Sequence, residues 1–122
     1  MTNTKTFSET DLIQFTGSEH WYRHALVRDI LYTDGVKYVA ETAGAYWLND
    51  EIALTQRFDK RIAAEEFQLW RLTVNPDHSA TLVCEDGDGG SVFTRLIEFT
   101  DFPRAEISFY LVNKTILLPS EY

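Results

Sequence analysis

The second half of the chain alternates β-rich runs with turn-forming clusters, and this pattern constrains the fold more than any other feature. Residues 67–74 and 80–85 flank Asn75-Pro76-Asp77-His78-Ser79, a proline-containing turn. Gly87-Asp88-Gly89-Gly90 leads into 91–100, and Asp101-Phe102-Pro103-Arg104 turns the chain into 105–112. Asn113-Lys114 then joins that run to 115–118 in a tight hairpin. Short strands at this spacing predict an antiparallel meander.

The first half is more mixed. Ser8, with Asp11 three residues on, resembles a capping box and opens a short N-terminal helix carrying Leu12, Ile13 and Phe15. Gly17 is expected to end it. The runs 27–32 and 36–41 flank Thr33-Asp34-Gly35, and Asp-Gly predicts a second hairpin with a type I′ turn, whose central residues need positive φ. Gly44 interrupts the pattern. Residues 45–58 then predict the one main helix. A step of about 100° per residue gathers Trp47, Leu48, Ile52, Leu54 and Phe58 on one side, with Asn49, Asp50, Ala53, Gln56 and Arg57 opposite. The chain has no linker, low-complexity segment or repeat. The expectation is a single α+β domain over residues 1–122: a mostly antiparallel sheet with one main helix and a short N-terminal helix.

Charge narrows the function. The 122 residues carry 11 Lys+Arg and 19 Asp+Glu, a net charge of −8. Residues 1–61 hold seven basic and nine acidic side chains, and residues 62–122 hold four and ten. Phosphate contacts need Lys and Arg, so direct nucleic-acid binding is disfavoured and a protein partner with a basic surface is favoured. No apolar run approaches the ~20 residues that span a bilayer. Residues 1–7 are polar, with no small-residue cleavage site after an apolar core, which argues against a signal peptide. The single Cys84 fits a reducing compartment. A cytoplasmic protein is expected, without membrane or cofactor; homo-oligomerisation is left open.

Candidate chemistry is sparse, and no catalytic residue is assigned. His20 and His24 share a face only if helical, and Trp21 stands where a metalloprotease motif needs Glu, so they are weak metal candidates. Asp86-Gly87-Asp88-Gly89-Gly90 lacks the EF-hand register: from Asp86, Gly90 falls at position five and Ile97 at position twelve. Cys84 has no neighbouring base, and three flanking acids disfavour its thiolate. Glu51 falls inside the apolar arc of the helix and is the one carboxylate whose periodicity points to burial. Glu85, Asp86 and Asp88 cluster at one loop, and Trp21 and Tyr22 head an aromatic segment; these five are the candidate partner-binding residues.

Several segments also resemble a known family. They are Phe15-Thr16-Gly17-Ser18-Glu19-His20-Trp21-Tyr22-Arg23-His24, Leu31-Tyr32-Thr33-Asp34-Gly35-Val36-Lys37-Tyr38, Ala43-Gly44-Ala45-Tyr46-Trp47-Leu48, Phe99-Thr100-Asp101-Phe102-Pro103 and the closing Leu117-Leu118-Pro119-Ser120-Glu121-Tyr122. Across nearly the whole chain they are similar to a family of small uncharacterised proteins of bacteria, plasmids and phages, a domain of unknown function. The resemblance implies no catalytic residue. It does imply a setting in which small acidic proteins block host defence, so the leading expectation is a non-enzymatic inhibitor of the anti-CRISPR kind. Two alternatives come from other classes: a binding or sponge protein holding a nucleotide signal in an aromatic pocket, and a small metal-dependent hydrolase using His20, His24 and Glu51.

Overall fold

A computed structural model describes residues 7–16 and 20–122. Its sheet has seven strands: β1 (Trp21–Arg23), β2 (Leu31–Thr33), β3 (Phe67–Val74), β4 (Ala80–Glu85), β5 (Ser91–Ile97), β6 (Glu106–Val112) and β7 (Thr115–Leu117), in the spatial order β1-β2-β7-β6-β3-β4-β5. β2 and β7 pair in parallel; every other pairing among the described residues is antiparallel. The helices are α1 (Glu9–Ile13), α2 (Asp34–Ala43), α3 (Tyr46–Phe58) and α4 (Lys60–Ala63), and a 3-10 turn covers Pro119–Glu121. The class is α+β, with two main helices rather than one. None of the described helices is long and apolar enough to cross a membrane.

The meander forms where the turn chemistry placed it. Asn113 and Lys114 sit at φ 53° and 61°, the left-handed pair of a type I′ turn joining β6 to β7. The fifth strand stops at Ile97, and a bulge shifts its register opposite Cys84 and Glu85. Along β3, Gln68, Trp70 and Leu72 are buried while Leu69 and Arg71 on the other face are half-buried. One sheet face therefore packs under the helices and the other is open.

The hairpin expected at Asp34-Gly35 is absent: these residues start α2. Thr33 is its N-cap, its Oγ1 accepting from the Val36 N–H at 3.4 Å. Val36, Val39, Ala40 and Ala43, spaced three and four apart, are all buried. Gly44, at φ 64°, ends the helix in the left-handed conformation. Gly35 is not at positive φ; it is small because a Cβ there would lie 2.6 Å from both Glu121 Oε1 and Leu118 Cδ1. A strand of alternating burial could not have placed the two valines and two alanines on one side.

The main helix covers the expected span, but its buried side is rotated. Leu48, Asn49, Ile52, Ala53 and Thr55 are buried, and Phe58 is exposed. Asn49 and Ala53 carry little hydropathy, so periodicity assigned them to solvent. In α1 the capping box is real: Ser8 and Asp11 exchange bonds of 2.8 and 3.2 Å. Gln14 caps its other end. Gly17, expected as the stop, lies outside the described residues.

Candidate functional site: an acidic end of the sheet

The start of β3 and the ends of β4 and β6 bring three features to one end of the sheet. The first is a cleft of about 540 Å³ between the α4–β3 connection and the β6–β7 hairpin. Asp29, Glu65 and Glu66 give it three carboxylates, against one ammonium, Lys114. Lys114 Nζ is itself 3.3 Å from Asp29. Gln56 at its wall is locked to buried Gln68 by two reciprocal amide bonds of 2.8 Å. Gln68 also donates to the Ile62 carbonyl and accepts from Trp70 Nε1, so this wall is rigid.

The second feature is the loop after β4. Asp86 Oδ1 accepts from the N–H groups of Asp88 and Gly90, both at 2.9 Å, which folds the loop on itself. That carboxylate is already committed to backbone amides. Glu85 is paired with Arg71 at 2.7 Å on the open face. Asp88 is the exposed member of the three predicted acids. Gly87 lies 3.9 Å from Phe67 when given a Cβ, so the loop touches the third feature, an aromatic triangle on the open face. Phe67, Tyr110 and Tyr122 stand with ring centroids 4.9, 5.6 and 5.3 Å apart. Beneath the loop Cys84 is buried, and burial pushes its thiol up to about 12, aided by the charges of Glu65, Glu85 and Asp86. It is poorly suited to nucleophilic work.

The aromatic segment lies elsewhere, at the β1 edge. Trp21 is 55 % exposed. Tyr22 stacks on Tyr32 at 5.6 Å, and Lys37 Nζ lies 4.4 Å from the Tyr22 ring centroid. The Tyr22 hydroxyl donates to Asp34 at 2.8 Å; this bond, first of all, lowers the Asp34 carboxyl and raises the Tyr22 phenol. Tyr46, at the other end of the cluster, is pushed up to about 12 by burial and then by Glu41.

The three residues of the hydrolase alternative each have a separate partner. His20 Nδ1 is 3.3 Å from Asp34. His24 is buried; its Nδ1 accepts from the Leu26 and Val27 N–H groups, which leaves the proton on Nε2, donated to Asp50 at 2.8 Å. Both of its nitrogens are occupied. Glu51 is half-buried and ion-paired with Arg95 at 3.0 Å. The buried carboxylate is instead Glu121, which accepts from the Thr33 hydroxyl at 2.6 Å, the Leu118 N–H at 2.9 Å and the Gly35 N–H at 3.1 Å. Among the described residues, no group of three or more His, Cys, Asp or Glu is placed to hold a metal ion. Sequence reasoning missed Asp29, Glu65, Glu66 and Glu121. The three cleft acids come from distant segments; the signal within reach was the Glu65-Glu66 pair immediately before a strand.

Fold and site together define a small α+β protein with an acidic, aromatic-flanked end. The chain belongs to DUF6876, a family of unknown function, whose model matches residues 6–122. No curated protein and no solved structure matches it.

Proposed function

We propose that the protein is a non-enzymatic interaction protein that docks a basic partner protein against the acidic end of its sheet. The observation that carries this reading is the cleft: three carboxylates and one lysine line a rigid-walled hollow, with exposed Asp88 and an aromatic triangle beside it. Aromatic rings anchor interfaces and carboxylates steer a basic target onto them. Within this reading the protein works in the bacterial cytoplasm as an inhibitor of a defence system, of the anti-CRISPR kind. Its acidic end takes the place of nucleic acid on a basic groove. The same cleft falls in the ligand-sized range, and its charge suits a cationic small molecule better than a nucleotide phosphate.

The test is affinity capture from the bacterial host, followed by association kinetics with the captured partner. Glu65→Gln, Glu66→Gln and Asp88→Asn together should slow association about tenfold at low salt, with the difference fading as salt rises. Equal on-rates at every salt concentration refute the acidic end as the docking surface.

A further inference from the structure

The two edges of the sheet are finished differently. β1 is three residues long and ends in Arg23, whose guanidinium folds back to donate to the Arg28 carbonyl. β5 is seven residues long, contains no proline or lysine, and among the described residues has no strand on its outer side. Natural sheets blunt such edges with prolines, charges or covering segments, because the unpaired backbone groups template another strand. The bulge next to Cys84 affects only the start of β5, which leaves residues 93–97 regular.

We propose that β5 is a homodimerisation strand: two copies pair antiparallel along residues 93–97, about a two-fold axis near Arg95, to make one continuous sheet. Three observations select a second copy as the occupant. Like-charged copies of net charge −8 repel, yet residues 91–97 contain no acid, and their one charge, Arg95, is already neutralised by Glu51 of its own α3. Each copy thus arrives at the seam with its counter-ion in place.

The exposed apolar side chains are arranged for two-fold exchange. α3 runs antiparallel alongside β5. Its first turn and the strand end share a hollow of about 290 Å³ lined by Trp47, Ile97 and Phe99, with Asp101 at its rim; its last turn and the strand start share one of about 360 Å³ with Phe58 and Phe93, which also holds Asp59 and the Glu51–Arg95 pair. Phe58 and Phe99 stand 77 % and 68 % exposed at opposite ends of the strand. An antiparallel two-fold sets the start of one strand against the end of the other. Phe58 of one copy then faces the Trp47–Phe99 hollow of its partner, twice over.

On the open face Leu96, 80 % exposed, falls opposite the partner's Thr94. A foreign strand satisfies the same backbone groups but has no reason to match both hollows at this spacing.

Sedimentation over a wide concentration range tests the idea. The wild type should form a species of two chains. Leu96→Lys and Phe58→Lys, both on exposed side chains, should each weaken it by about tenfold or more without altering melting at concentrations where the wild type is a single chain. Hydrogen exchange of the unaltered protein is a second reading: amides of residues 93–97 should gain protection as concentration rises. A protein that stays monomeric throughout, a dimer unmoved by both substitutions, or β5 exchange independent of concentration overturns the proposal.

Discussion

Glu121 and Glu66 are both glutamates on short segments beside the sheet, yet one is nearly sealed from water and the other is exposed at a cleft. Glu121 collects the Thr33 hydroxyl and the Gly35 N–H at the start of α2, where the helix dipole also favours a negative charge, and the Leu118 N–H of its own segment. Glu66 has no cationic side chain within ion-pair distance among the described residues. The contrast separates two uses of acid in one small domain. Buried acid ties the N-terminal elements to the C-terminal segment, and exposed acid is left in solvent.

The sharpest way to break this comparison is at Glu121. Glu121→Leu strands three buried donors, so stability should fall by about 3 kcal/mol or more, read by denaturant unfolding. A loss below about 1 kcal/mol would put the latch in the same class as the surface acids. Gly35→Val crowds the same site from the other side. Its Cβ meets Glu121 and Leu118 at 2.6 Å, and overpacking of this kind should cost about 2–3 kcal/mol, visible as a lower melting temperature. A melting temperature equal to wild type would show that the latch yields cheaply.

Asn49 sharpens the comparison in the opposite direction. Its amide oxygen and nitrogen are buried with no hydrogen-bond partner among the described residues, in a helix position otherwise suited to an apolar side chain. Asn49→Leu should therefore raise stability by about 1 kcal/mol, whereas a loss of that size would reveal a bond the amide makes. Glu66→Gln and Asp88→Asn should change unfolding by no more than about 0.5 kcal/mol, since neither touches a buried partner.

The smallest effect expected is at Asp34. Its carboxyl is lowered by the Tyr22 hydroxyl and then by His20, so its contribution is present above the ordinary carboxylate pKa and lost as pH falls through the lowered folded value. The gap in melting between wild type and Asp34→Asn should be full above about pH 4 and close only as pH falls below that toward the lowered folded value. Curves parallel at every pH would mean that the bond does not bias ionisation.

How far the sequence reveals this molecule depends on how local each signal is. β3, β4 and the Asn113-Lys114 hairpin were legible because their alternation and turn residues are written within a few positions. Thr33-Asp34-Gly35-Val36 was misread because it carries two local meanings, a hairpin turn and a helix N-cap. What settles it is Glu121, whose bond to the Gly35 amide spans 86 residues. The acidic loop was visible as a cluster. The cleft was not, because Asp29, Glu65 and Lys114 meet only after the β6–β7 hairpin folds beside α4. The pairing that neutralises Glu85 was equally hidden, since Arg71 lies on the neighbouring strand.

The position of β7 has a consequence for folding. Although it is last of the strands in the chain, it lies between β2 and β6 in space, and its parallel pairing with Leu31 and Tyr32 joins the β1–β2 edge to the meander. Without residues 115–117 the sheet exists as two pieces: a four-stranded meander, β6-β3-β4-β5, and a two-stranded ribbon, β1-β2. Long-range pairings of this kind slow folding, and here the slow step cannot begin until β7 is available to both pieces. A folding copy therefore has no finished sheet until β7 docks, which makes β7 the timing element of its maturation.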